Sequence, residues 1–213
     1  MAVRYKNLIY IHIPKTGGTS IRNCIIKVGG SPCGVKHIRY DELKTNQDYF
    51  VSVRNPYTRL MSWYYFRIRR FNEEIDSGKG DNITPEWRAN GWTTNQALEY
   101  YNEGFRNWLM NLDTVNVFEK VKGSHVHFNP DWGAVCKQTD FISKQKPPKF
   151  ILRQESLTQD FKEVQKYLGI SKNLFNQNQS KNDNRYLDVF DDEMKEFVTE
   201  YWKDDFEYFG YEK

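Results

Sequence analysis

Cysteine is scarce in this chain: Cys24, Cys33 and Cys136 are the three thiols among 213 residues. Three cannot make a fully paired disulfide framework, and none of their spacings is the CxxC of a metal site, so reduced cysteines in a cytoplasm-like compartment are expected. Long apolar runs are missing as well. No stretch approaches the ~20 residues needed to span a bilayer, and the opening MAVRYKN lacks the apolar core of a signal peptide. The expectation is a soluble, cytoplasmic protein. Charge of one sign is also lacking: a formal net charge of +3 is too small to argue for a nucleic-acid partner. Hydrophobic residues make up 38% and aromatics 16% of the chain, a globular composition despite a mean hydropathy of −0.81. The length suits one well-buried domain, at most with an insertion.

The most informative stretch is LIYIHIPKTGGTSI, residues 8–21. Its first six residues, β-branched and aromatic, read as a buried strand. Pro14, Lys15, Thr16, Gly17 and Gly18 break it, and the apolar spacing from Ser20 to Val28 predicts a helix closed by Gly29-Gly30. Strand, glycine turn and helix start together make an anion site, because free N–H groups and the helix dipole point at the turn. Gly17 and Gly18 allow close backbone approach. Lys15 adds a mobile cation, and Thr16, Thr19 and Ser20 add hydroxyls. The lysine precedes the glycines, so the GxxxxGK[ST] pattern of nucleoside-triphosphate loops is not met.

A second strand is predicted at Tyr49–Val53, stopped by Arg54-Asn55-Pro56, with a helix from Pro56 to about Phe71. Between the two, residues 31–34 read as a turn, 35–38 as a short strand or strand end, and 41–43 as one helical turn. A third strand is expected at 150–152, ending at Arg153, followed by a helix from Ser156 to Gly169. Strands that each run into a helix N-terminus predict an α/β fold with a central parallel sheet and ligands at the strand C-terminal ends. Residues 72–95 read as a surface insertion, 96–112 as a helix, 171–184 as a polar loop and 191–206 as a closing amphipathic helix.

Arg54 stands at a strand end, and Ser62 follows eight positions later on the predicted helix. A guanidinium fork and a hydroxyl suit a phosphate. Arg59 reads either as packing near the same site or as pairing with an acidic neighbour. His37 precedes Arg54 by seventeen positions; an imidazole, with an unperturbed pKa of about 6.5, suits general-base work. His125 and His127, in GSHVHFNP, are rivals for that role. No third ligand at metal-site spacing accompanies them, so no metal is expected. His12 reads as packing or orienting the loop.

The PKTGGTS segment, with RNPYTRLMSWYYF and VKHIRYDEL, resembles sulfotransferases, above all the carbohydrate (family 2) branch. Nearly the whole chain shares the resemblance, the weakest part being residues 72–123. It implies a P-loop-like sulfotransferase fold, a single domain over 1–213 with an acceptor-side insertion around 72–130, and 3′-phosphoadenosine 5′-phosphosulfate (PAPS) as donor. It implies a 5′-phosphosulfate site at Lys15, Thr16, Gly17, Gly18, Thr19 and Ser20, a 3′-phosphate site at Arg54 and Ser62, and catalysis by His37 with Lys15. His125 and His127 become candidate acceptor contacts. Lys181 and Arg185 fall where family members close over the nucleotide, although a solvated loop explains them equally well. Many eukaryotic carbohydrate sulfotransferases carry a Golgi anchor, and no such segment is read here; the expectation is either a soluble microbial or viral-type enzyme or a trimmed chain, Met1 at the start favouring the first.

The acceptor is expected to be a hydroxyl compound, with a glycan favoured by Trp87, Trp92, Trp108 and Trp132 and by Arg67, Arg69, Arg70 and Arg88; the opposing reading puts most of these tryptophans in the core. A P-loop small-molecule kinase and a non-catalytic binding module for nucleotide or sulfated glycan are the alternatives. Against the first stands the misplaced lysine, and against the second the joint presence of Lys15, His37 and Arg54. Oligomeric state leaves no mark on the sequence.

Overall fold

Two apolar runs that lack the alternation of a half-exposed strand lie side by side as β2 (Leu8–Ile11) and β4 (Asp48–Val53), parallel, with Ile11 opposite Val51. The computed structural model describes the chain apart from residues 1, 36, 78–84, 121–126, 128, 173 and 175–185. β5 (Phe150–Arg153) joins β4 in parallel, with Val53 opposite Arg153. On the other side β1 (Val3–Tyr5) pairs antiparallel with β2, and β3 (Ser31–Pro32) antiparallel with β1. The five-stranded order is β3-β1-β2-β4-β5. The sheet expected to be parallel is therefore parallel through β2, β4 and β5 and carries two antiparallel strands on one edge.

The chain forms two compact units. The first comprises Met1–Pro56, Lys137–Asp183 and Asp204–Glu212. In it α1 (Gly18–Lys27) and α7 (Leu157–Leu168) bury Ile21, Cys24, Ile25, Phe161, Val164 and Leu168 in one cluster with Leu8, Tyr10, Phe50 and Leu152. Each large apolar side chain among them contributes about 1.5–3 kcal/mol on burial. The alternate residues Ile9, Ile11, Tyr49, Val51 and Val53 are equally buried, which accounts for the unbroken apolar runs: β2 and β4 are covered on both faces. Burial raises the phenol of Tyr49, which accepts from Ser143 N–H and donates to the Lys146 carbonyl, to about 12.

The second unit, Tyr57–Cys136 with Asn184–Lys203, is helical: most of α2 (Pro56–Asp76), then α3 (Pro85–Ala89), α4 (Thr94–Asn102), α5 (Phe105–Met110), α6 (Trp132–Val135), α8 (Tyr186–Val189) and α9 (Asp192–Tyr201). Its core is aromatic, with Tyr64, Phe71, Trp87, Tyr101 and Trp108 linked through ring contacts. The carboxylate of Asp131 is buried among three donors of that core, Trp63 Nε1 (2.8 Å), Trp108 Nε1 (3.2 Å) and the Tyr101 hydroxyl. Polar tips of large aromatics thus find one common acceptor, so that their burial leaves those donors satisfied.

Several expectations need correction. Residues 31–32 are strand, where a turn was expected, and Val35, His37 and Ile38 lie outside any strand. The predicted helix at 96–112 is two helices, parted at Gly104, whose φ of 109° no helix accommodates. The closing helix is likewise two, α9 and α10 (Lys203–Phe209). α2 continues to Asp76, beyond the expected Phe71. Among the described residues no helix is long and apolar enough to cross a membrane.

Candidate active site

β2 ends in a loop that runs into α1. Lys15 (φ 66°) and Gly17 (φ 80°) both adopt left-handed conformations, and Gly17 caps α1 with no side-chain hydrogen bond. A loop with two left-handed residues that runs straight into a helix start leaves backbone N–H groups of the first turn available to an anion. The first turn of α1 holds no acidic residue, so its partial positive charge meets no carboxylate of its own turn. Thr19 is exposed, and Ser20 and Lys15 are half-buried.

Thr16 faces the other way. Its hydroxyl is buried, donates to the Ile13 carbonyl (2.9 Å) and lies 2.8 Å from Ser52 Oγ, which in turn lies 2.7 Å from the Tyr10 hydroxyl. With the Thr16 proton committed to a carbonyl, the order is fixed: Tyr10 donates to Ser52, Ser52 to Thr16, Thr16 to Ile13. Burial pushes the Tyr10 phenol up, in keeping with its place as the neutral first donor. The chain ties the loop to the middle of the sheet. Of the hydroxyls expected to meet an anion, that of Thr16 is thus spent inside the protein. Ser52, a polar residue in an otherwise apolar strand, is the signal in the sequence for this linkage.

Gly18 is required by close approach. A Cβ there would fall 2.1 Å from His12 Cδ2 and 2.4 Å from the Tyr10 hydroxyl, so any side chain would push the helix start off the sheet. His12, expected to orient the loop, packs against that helix start, and its ring centroid lies 4.6 Å from that of His37.

His37 belongs to the same corner. Its Nδ1 lies 2.8 Å from the carbonyl oxygen of His12. A carbonyl only accepts, so Nδ1 carries the hydrogen, and in the neutral ring the lone pair sits on Nε2. The backbone of His37 is also left-handed (φ 58°), an uncommon state for a residue with a side chain. An imidazole with a fixed tautomer is therefore held on the strand end from which the loop springs.

Arg54 leaves the neighbouring strand, β4, at the same edge of the sheet and is 8% exposed. Its backbone is gripped from both sides. Gln138 Oε1 accepts from Arg54 N–H, and Gln138 Nε2 donates to the Arg54 carbonyl, both at 2.8 Å. Asn55 N–H donates to Glu155 Oε1 (2.9 Å). Neither Gln138 nor Glu155 stood out in the sequence; they lie 84 and 100 residues from their partners, and no local pattern announces such a pairing.

The first unit therefore brings together Lys15, Thr16, Gly17, Gly18, Thr19, Ser20, His37 and Arg54. Ser62 is half-buried on α2 and belongs to the second unit, as does His127, whose ring stacks on Trp132 at 4.6 Å. Arg59, also of the second unit, is buried and donates to the carbonyls of Gly133 (2.8 Å) and Ala134 (3.2 Å), capping the end of the short helix α6, and to Cys136 Sγ (3.1 Å). His125, Lys181 and Arg185 lie outside the described residues. Among the described residues no group of three His, Cys, Asp or Glu is placed to hold a metal ion.

A search of curated proteins and a search of solved structures returned no match. The model of the sulfotransferase family, by contrast, matches residues 1–212. With the strand-to-helix loop near one end of that match and the last helix at the other, the chain belongs to the sulfotransferase family.

Proposed function

We propose that this sulfotransferase takes its sulfuryl group from PAPS and passes it to a hydroxyl of a carbohydrate, with His37 as general base. PAPS supplies an activated sulfuryl group and leaves as adenosine 3′,5′-bisphosphate. Lys15 and the N–H groups at the start of α1 would hold the 5′-phosphosulfate, since the cap residue is a glycine and the first turn is free of acidic residues. As negative charge grows on the leaving phosphate, this cation and these donors stabilise it; one such donor typically contributes about 2.7–4 kcal/mol. Arg54 would take the 3′-phosphate, since its fork suits phosphate oxygens. His37 Nε2 would accept the acceptor's proton as its oxygen attacks. No metal is invoked.

The observation that carries this reading is the His37 Nδ1–H bond to the His12 carbonyl. One bond sets the tautomer and fastens the base to the strand that ends in the phosphosulfate loop. The acceptor would be chosen by the 72–130 stretch and the adjoining Trp132, where Trp92 is 36% exposed and Trp132 half-buried, while Trp87 and Trp108 are core. Aromatic faces that reach the surface suit sugar rings. Incubation with ³⁵S-labelled PAPS and a panel of polysaccharides, glycolipids and simple alcohols should move label into a glycan. Label passing to none of them, or phosphate passing from ATP instead, would remove the proposal.

A further inference from the structure

The last helix, α10, reaches the strand end that carries Arg54 through a chain of buried polar bonds. Asp205 on α10 is fully buried. Its Oδ2 accepts from Gln138 N–H (2.8 Å), and its Oδ1 accepts from Thr139 N–H (2.9 Å) and the Thr139 hydroxyl (3.0 Å). These bonds close the start of the 3-10 turn Gln138–Phe141. The Gln138 side chain, also fully buried, then spans Arg54 with both ends of its amide. An amide that donates to and accepts from one residue does what a neighbouring strand would do, here beyond the last paired residue of β4. A carboxylate is costly to bury unless its oxygens are occupied. Three donors occupy these, and all of them belong to the two-residue segment that reaches out to Arg54.

We propose that Asp205 and Gln138 are positioning residues for recognition of the nucleotide's 3′-phosphate. Asp205 fixes the 138–139 segment, Gln138 fixes the backbone of Arg54, and the guanidinium is thereby set in advance for its ligand. The inference rests on reading Arg54 as the 3′-phosphate ligand. Ordering the fork beforehand removes part of the entropy lost on binding, and a site held within about 0.5 Å binds better than one left loose.

Calorimetric titration with adenosine 3′,5′-bisphosphate and with adenosine 5′-monophosphate, which lacks the 3′-phosphate, tests both levels separately. Arg54→Ala should weaken the bisphosphate about 100-fold and the monophosphate by no more than about twofold. Gln138→Met, similar in length but without the amide, should weaken the bisphosphate about tenfold, again sparing the monophosphate. It should also raise KM for PAPS while kcat at saturating PAPS stays within about threefold. Equal losses for the two nucleotides in Gln138→Met, or no loss for either, would reduce Gln138 to a scaffold residue and overturn the proposal. Equal losses in Arg54→Ala would instead remove the 3′-phosphate reading beneath it. Should Gln138→Met give no folded protein, Asp205→Asn, which keeps the shape and one acceptor, carries the same comparison with the same overturning result.

Discussion

Replacing His37 by asparagine should lower kcat by roughly 10²–10⁴-fold, the usual contribution of a positioned base, while the affinity for adenosine 3′,5′-bisphosphate changes by no more than about twofold. Asparagine is the appropriate substitute for a physical reason. Residue 37 has a φ of 58°, and asparagine tolerates the left-handed region better than alanine does. Its amide also offers a donor in place of the Nδ1–H that meets the His12 carbonyl, but no group able to take a proton at neutral pH. Backbone strain and the anchoring bond are thus largely conserved, and the loss reads the base alone. In the unsubstituted enzyme the rate should fall on acidification, because protonation of Nε2 removes the lone pair that accepts. The His37→Asn variant should have lost that acid limb. Loss of turnover with intact product binding supports the assignment. A His127→Ala variant that loses turnover in this way, beside an active His37→Asn, would transfer the role to His127.

Lys15→Ala should depress kcat by roughly 10²–10³-fold, the loss expected when one preorganised donor to a developing oxyanion is removed. Stability should hardly change. Lysine and alanine both carry a Cβ and both suffer the left-handed backbone at residue 15 (φ 66°). The comparison with Lys15→Gly is the sharper one. Glycine relieves a left-handed residue of a strain of about 1–2 kcal/mol, so this variant should melt no lower than the unsubstituted protein and yet be as inactive as Lys15→Ala. Such a division between stability and rate is the mark of strain retained at a functional site. Turnover unchanged in both variants would remove Lys15 from the chemistry.

The strands β2 and β4 were legible because burial on both faces writes unbroken apolar runs, and α1 and α7 by their apolar spacing, with glycine and proline punctuating the ends. β1 was not. Three residues with Val3 buried and Arg4 exposed give too little alternation to register, and the partner strand β3 is two residues long. Gly104 divides α4 from α5 without disturbing the apolar spacing on either side, so the period alone reads as one helix. At the candidate site, the turn from strand to helix was legible from Pro14, Gly17 and Gly18, and Arg54 from its place at the end of a strand. What escaped is the direction of individual side chains. Thr16 turns inward because Ser52 and the Ile13 carbonyl offer it buried partners. Arg59, a cation five positions after Arg54, donates to helix-end carbonyls. Asp205 and Gln138 act across 67 and 84 residues of chain, and only the fold brings them to Arg54.

The central claim is that one nucleotide lies along the C-terminal edge of β2 and β4, its phosphosulfate end on the first loop and its ribose phosphate on Arg54. A crystal of the protein grown with adenosine 3′,5′-bisphosphate examines this directly. The account predicts the 5′-phosphate on the N–H groups of residues 17–20 and Lys15 Nζ, with the 3′-phosphate on the Arg54 guanidinium. A 5′-phosphate away from that loop, or a 3′-phosphate with no contact to Arg54, would contradict it.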